Sequence, residues 1–326
     1  MVPGDSAEHE LRIQDEIKRT LENVSSLVLY TDTFFIRNYT NREHRVLVFP
    51  VRGPSINANA PLTLRSNSRA TRMAAAKQLL KTLESLHNSG FVHGGEFSSI
   101  LFFFFFFTNG YIQDLNGYNV MWGMAPLDDK DTTTKYKYLG RPVKVALAVE
   151  KAAELVLPAH IAEPLITEDI FHGGFGLTTR AGIRAMDGWE PPAGYCAPEV
   201  THNVAPSRAS DIWSYLCIFS QLYFGIEMFP AGLVNIVGAV GPLSQQWKDI
   251  LDADESWYDQ SMKADIKSYV EYRLNRVAAD VGSTERGHIL SLMSTGFRYL
   301  PEERMTATQL LHDPSFKAIM EIYEKY

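Results

Sequence analysis

The sequence predicts an α+β molecule with a small lobe of one helix and two strands and a larger, mainly helical lobe. Three observations predict it: a charged helical pattern followed by two β-rich runs near the start, a long helix at 71–88, and a segment at 210–229 that is apolar on nearly every face. At 326 residues, 45% hydrophobic and 12% aromatic, the chain can bury one large core or two lobes that share an interface.

Ala7 to Leu21 carries the charged helical pattern, and SSLVLYTDTFFI and RVLVFPV follow as strands separated by the turn-like NYTNREH. Between Thr71 and Asn88, apolar residues at Met73, Ala76, Leu79, Leu80, Leu83 and Leu86 recur with helical spacing, and Gly90 sits where a C-terminal cap belongs. APLDDKDTTTKYKYLGRP, residues 125–142, is polar, charged and bracketed by prolines, which predicts a surface insertion; Leu177 to Gly194 reads as another long loop. SDIWSYLCIFSQLYFGIEMF has a carboxylate in its first turn and predicts a helix at the centre of a lobe. The remainder is mostly helical with polar breaks and ends in PEERMTATQLLHDPSF, where Pro314 is expected to terminate a helix.

Composition narrows the function. A net charge of −7 and a pI near 5.7 argue against a broad nucleic-acid surface, which needs clustered Lys and Arg, and would suit basic partners instead. The two cysteines, Cys196 and Cys217, have no metal-ligand spacing, so neither a disulfide framework nor zinc is expected, and a reducing compartment is. The longest apolar run, Ile100 to Phe107, is far short of the roughly 20 residues that span a bilayer. The expectation is a cytoplasmic or nuclear protein with no membrane segment.

Four separated motifs carry the chemistry. HNSGFVHG follows the long helix and ends at Gly94; GGFGL occupies 173–177 and is followed by YCAPEV; RASDIWSY contains Asp211; PEERMTA contains Arg304. Singly each has a bland reading: His93 as a satisfied core histidine, GFG as a Gly-rich turn, Asp211 as a carboxylate serving its own helix, Arg304 as a solvated charge. In this order and context they resemble the protein kinase signature set over about residues 8–320. A generic helical adaptor would need all of them to coincide.

The resemblance implies a protein-kinase-like fold: a partial N-lobe at 1–54 holding the C-helix and two strands, and a C-lobe at 55–326 with insertions at 95–113 and about 124–168. It implies that His93 opens the catalytic loop, that Asp211 accepts hydrogen bonds from that loop's amides, and that Arg304 pairs with Glu199. VFPVRGP, the long insertion before GFG and VGPLSQQW resemble the SR-protein-kinase-like, fungal-type group. That group implies a serine/threonine kinase using ATP and Mg, acting on serines of Arg/Ser-rich proteins, and working as a monomer.

The catalytic loop is interrupted. A working loop reads H-x-D-x-x-x-x-N, but Gly94 is followed by GEFSSILFFFFFFTNGYIQ before DLNGYNVMW resumes. Joining Gly94 to Asp114 restores the spacing from His93 through Asp114, the implied base, to Asn119, the implied metal ligand. Six consecutive phenylalanines would be an aggregation hazard if exposed. The segment at 95–113 reads as a retained intron, since Gly-Glu-Phe is what a GGTGAGTTT donor encodes and a T-rich tract encodes phenylalanine; a natural loop expansion is the alternative, because long loops carry only a logarithmic entropy cost.

Other parts of the kinase pattern are missing. The chain as given begins too late for the Gly-rich loop and the strand lysine that hold the phosphates. Glu10 stands where the resemblance places that lysine's partner, without a lysine before Lys18. Gly174 replaces the aspartate that would bind Mg, and glycine offers no side-chain oxygen to a hard cation. Asn116 stands where many family members carry a lysine. Phe49 is implied behind the adenine pocket, with Pro50 and Val51 as the backbone facing it. These departures predict an impaired or inactive kinase, or a pseudokinase serving as a scaffold or binding module.

Overall fold

A computed structural model describes residues 4–37, 41, 43–57, 67–94, 115–146, 154–157, 159–181, 194–202, 204–243, 247 and 264–324. Asp114 and the interrupting segment 95–113 lie outside the described residues.

The first element is helix α1, Gly4–Thr20, whose Ile13 and Ile17 are buried. Strands β1, Asp32–Arg37, and β2, Glu43–Val48, form an antiparallel ladder from Asp32↔Val48 to Arg37↔Glu43. The first β-rich run therefore yields a strand only in its second half. Leu27, Val28 and Leu29 are buried in succession rather than alternately, so both their faces are covered, and Leu27 bridges in parallel to His172 far along the chain.

Helix α2, Arg69–Asn88, starts at Ser68, whose side chain accepts from the Thr71 N–H, and Gly90 beyond its end has φ +88°. Its apolar side carries Met73, Ala76, Leu79, Leu80 and Leu83, all fully buried. Strand β3, Phe91–Val92, follows directly.

Strand β4, Val120–Met124, is antiparallel to a later strand, Ile166–His172, with a register shift between Trp122 and Gly123. Residues 53–56 lie on the opposite edge of β4, with Gly53 donating to the Trp122 carbonyl at 2.8 Å and Ile56 to Val120 at 2.9 Å. Only glycine fits at 53, because an added Cβ would stand 2.8 Å from two carbonyl oxygens, those of Trp122 and Gly123.

The polar stretch between them forms surface structure of its own: helix α3, Thr132–Leu139, with no buried residue, and the hairpin β5, Lys144–Ala146, with β6, Glu154–Val156. Leu127 and Leu165 anchor its ends in the protein interior. The strand Ile166–His172 is β7, and β8, Thr179–Arg180, pairs with β3 through Phe91↔Arg180 and Val92↔Thr179.

After the short helix α4, Pro198–Thr201, comes α5, Arg208–Phe224. Ser207 and Ser210 form a reciprocal capping box at its start, and Gly225 at φ +75° ends it five residues before the apolar run stops. Fourteen of its residues are buried, so it is the central helix of the larger lobe. Trp213 stacks with Phe229 and meets Phe297 edge-on at 5.0 Å. A buried tryptophan removes on the order of 200 Å² from water, worth roughly 5 kcal/mol.

Helices α6, Leu233–Val240, α7, Ile266–Val277, α8, Ser283–Gly296, α9, Ala307–His312, and α10, Pro314–Glu324, complete the lobe. Pro314 does more than stop a helix. The Asp313 carboxylate accepts from the Ser315 and Phe316 N–H groups, so Pro314 occupies the first turn of α10, where its missing N–H is harmless.

One large apolar cluster is built around α2 and α5; a second joins Ile13, Ile17 and Leu21 of the small lobe to Leu86, Phe91 and Phe175. Phe175, the aromatic residue of the GFG turn, thus shares one core with α1, the end of α2 and β3.

Candidate functional site

The site is assembled at the ends of short strands. His172 closes β7, Val120 opens β4 opposite it, and Gly173 donates to the Asn119 carbonyl at 2.8 Å. His172 also donates to the Ser26 carbonyl and accepts from Val28, which ties the small lobe to the same point. Asn119 and Gly174 therefore meet, and His93 reaches them from β3 through its Nε2, 3.1 Å from the Gly173 carbonyl.

Behind His93 stands Asp211, buried in the first turn of α5. Its carboxylate accepts the His93 N–H at 2.8 Å, the Gly94 N–H at 2.9 Å and the Nε2–H of His87 at 2.9 Å. The carboxylate thereby holds the chain immediately after β3.

Glu199 and Arg304 form a two-armed pair with both N–O distances at 2.6 Å, fully enclosed. The guanidinium also donates to the carbonyls of Arg298, Tyr299 and Ala209 and lies 5.0 Å from the Trp213 ring. It fixes α4, where Glu199 sits, against α5 and the turn before α9.

Glu10 on α1 is half-buried and points at Gly176, where an added Cβ would be 3.4 Å from its Oε2. Burial raises its carboxyl pKa, partly offset by the 2.8 Å hydrogen bond from Gln14. Among the described residues it has no cationic partner. Phe49 and Val51 lie at the surface, 38% and 57% exposed, just past the end of β2. Asn116 is buried, and its side-chain oxygen accepts the Tyr118 N–H at 2.8 Å, shaping the turn that delivers Asn119.

Three residues enter the site without a signal in the sequence. His87 supports Asp211 from the last turn of α2. Arg180 donates to Glu16 of α1 at 2.6 Å and to the Ser89 carbonyl, and stacks 4.0 Å over Phe91, so α1 is clamped to the strand that follows GFG. His172 lies parallel to His93 with ring centroids 4.3 Å apart, and among the described residues neither of its ring nitrogens has a hydrogen-bond partner. A lone histidine beside a glycine pair announces none of this.

Burial holds both imidazoles below the ordinary histidine pKa, His172 well below it; for His93 the Asp211 charge and the Gly173 carbonyl act in the opposite sense but do not prevail. An unfolded histidine titrates near pH ~6.5. The folded values are depressed, so the stability these groups contribute is complete above about 6.5 and is lost as pH falls toward the folded pKa, where only the unfolded chain takes up protons. Stability measured by urea denaturation from pH about 7.5 to about 5.5 should therefore fall, the decline setting in below about pH 6.5 and approaching roughly 1.4 kcal/mol per pH unit for a histidine that stays neutral in the fold, His172 above all. His172→Phe should remove its share of the slope; an unchanged slope would assign the acid sensitivity elsewhere.

The resemblance implies Mg and ATP here, and the described residues around Gly174 do not fit Mg. Hard cations bind several oxygens with carboxylates among them. Gly174 supplies no side-chain oxygen, the space beside it is filled by the Asn119 amide, and among the described residues no three His, Cys, Asp or Glu side chains gather to hold a metal.

Two known proteins are similar to part of this chain. A stretch of 127 residues, 39% of this chain, is 30% identical to cell division control protein 2 homolog 3 of Trypanosoma brucei brucei and covers 40% of that protein. A stretch covering 36% of this chain is 25% identical to serine/threonine-protein kinase ppk5 of Schizosaccharomyces pombe and covers 15% of it. The chain thus spans less than half the length of these curated relatives. No protein-family model matches the chain. The two similarities support the protein kinase superfamily, and the mixture of helices with small sheets is compatible with a kinase-like α+β fold. No helix among the described residues is long and apolar enough to cross a membrane.

Proposed function

We propose that this chain is a protein-kinase-like protein of the serine/threonine, SR-protein-kinase-like kind in which phosphoryl transfer is impaired or lost. The observation that carries the reading is Gly174: the turn that would present a metal-binding carboxylate presents none, while Asp211 and the Glu199–Arg304 pair keep their own polar networks elsewhere in the fold. In this reading the architecture is kept and the chemistry is not. Its partner is a basic, Arg/Ser-rich protein, in keeping with the net charge of −7, met by a monomer in the cytoplasm or nucleus.

A second reading, a pseudokinase scaffold or binding module, is favoured by the same glycine and by Glu10 lacking a cationic partner among the described residues. One experiment separates the two. The full chain is incubated with labelled ATP, Mg and an Arg/Ser-repeat peptide, beside Asp114→Ala, and peptide binding is followed by fluorescence anisotropy. Slow transfer abolished in Asp114→Ala supports an impaired kinase, and peptide binding without transfer supports the scaffold. Transfer at ordinary kinase rates, roughly 1–100 per second, would overturn both.

A further inference from the structure

We propose that Asn119 acts as a lock on the Gly173–Gly174 turn, standing in the space that any side chain at position 174 would need. The inference rests on the reading above that the metal position is vacated, and it goes further: replacing glycine by aspartate would not recover the position.

Three observations carry it. Gly174 has φ +79° and ψ +44°, the left-handed region that L side chains enter only with strain. A Cβ built on it would lie 2.3 Å from Nδ2, 2.4 Å from Cγ and 2.7 Å from Oδ1 of Asn119, too close for any of the three. The Asn119 backbone is itself held in place, its carbonyl accepting the Gly173 N–H at 2.8 Å and its N–H donating to the Asn116 carbonyl at 3.1 Å. The turn that carries the amide is anchored by the buried Asn116, so relief at position 174 falls to rotation of the Asn119 side chain itself. The asparagine that the resemblance reads as a metal ligand is, in this arrangement, a positioning residue for the turn.

The test is a double-mutant cycle read by urea denaturation, with Gly174→Asp, Asn119→Gly and the double variant. Gly174→Asp is expected to lower the midpoint, and made in the Asn119→Gly background it should cost at most half as much, because the colliding amide is gone and only the backbone strain remains. An equal cost of Gly174→Asp in the unaltered and the Asn119→Gly backgrounds would overturn the lock. Should Gly174→Asp not fold, Gly174→Ala with and without Asn119→Gly provides the same comparison. Each protein is also measured with and without Mn²⁺. The lock requires that Gly174→Asp show no Mn²⁺-dependent rise in midpoint, and a rise would overturn it. A Mn²⁺-dependent rise in the unaltered chain would instead overturn the reading that the metal position is vacated, so the two failures are distinguishable.

Discussion

Arg304→Met is expected to destabilise the protein by about 3–5 kcal/mol, the cost of leaving a buried carboxylate without its partner. Glu199 is 1% exposed, so its charge cannot turn to water, and the three carbonyls that Arg304 also serves lose their donor together. The urea midpoint should fall with an unchanged slope, since the surface exposed on unfolding is the same. Two controls give the number its meaning. Replacing Glu199 by Gln in the Arg304→Met background should recover part of the loss, because the penalty belongs to an orphaned charge rather than to the missing attraction. Disrupting Arg37–Glu43, whose side chains are 66% and 53% exposed, should change stability by less than about 1 kcal/mol. If Arg304→Met behaves like that surface pair, the buried network is not what holds α4 to the lobe.

Asp211→Ala should be comparably damaging, and its magnitude decides between two roles. A carboxylate in the first turn that serves only its helix dipole is worth about 0.3–1 kcal/mol. One that satisfies two backbone N–H groups and a buried imidazole is worth several times that, since each hydrogen bond to a charged group contributes roughly 1.5–3 kcal/mol and the contributions do not simply add. A loss above about 3 kcal/mol is therefore expected. Asp211→Asn should recover little, because its amide N–H₂ would face a donor at one of the two oxygen positions. Hydrogen exchange gives the local readout: the amides of His93 and Gly94, bonded to Asp211 at 2.8 and 2.9 Å, should exchange much faster in the variant. Unchanged exchange there with a loss under about 1 kcal/mol would return Asp211 to the helix-dipole role.

The elements that were legible in advance are those whose signal is local. The apolar spacing from Met73 to Leu86 marks α2 because a 3.6-residue period places those side chains on one face. Gly90 marks the end of α2 for an equally local reason, whereas the apolar run at 210–229 hid the helix end at Gly225. The candidate site was legible only through the order of its motifs. GFG, YCAPE, RASDIWS and PEERMTA name Gly174, Glu199, Asp211 and Arg304, but nothing in their spacing measures a distance between them.

The chain's own periodicities and caps thus determine where the helices lie, which faces are apolar, and that position 174 has no side chain to offer. Only the tertiary structure decides partners. Leu27 to Leu29 were strand-like by composition, yet their partner is His172, 145 positions from Leu27 and invisible to any local window. The same holds for the His93–His172 stack, for Arg180 on Glu16, and for the Asn119 amide that fills the space at Gly174. Periodicity encodes a face; the identity of what covers that face depends on how distant segments pack, and steric exclusion at a single Cβ is decided there.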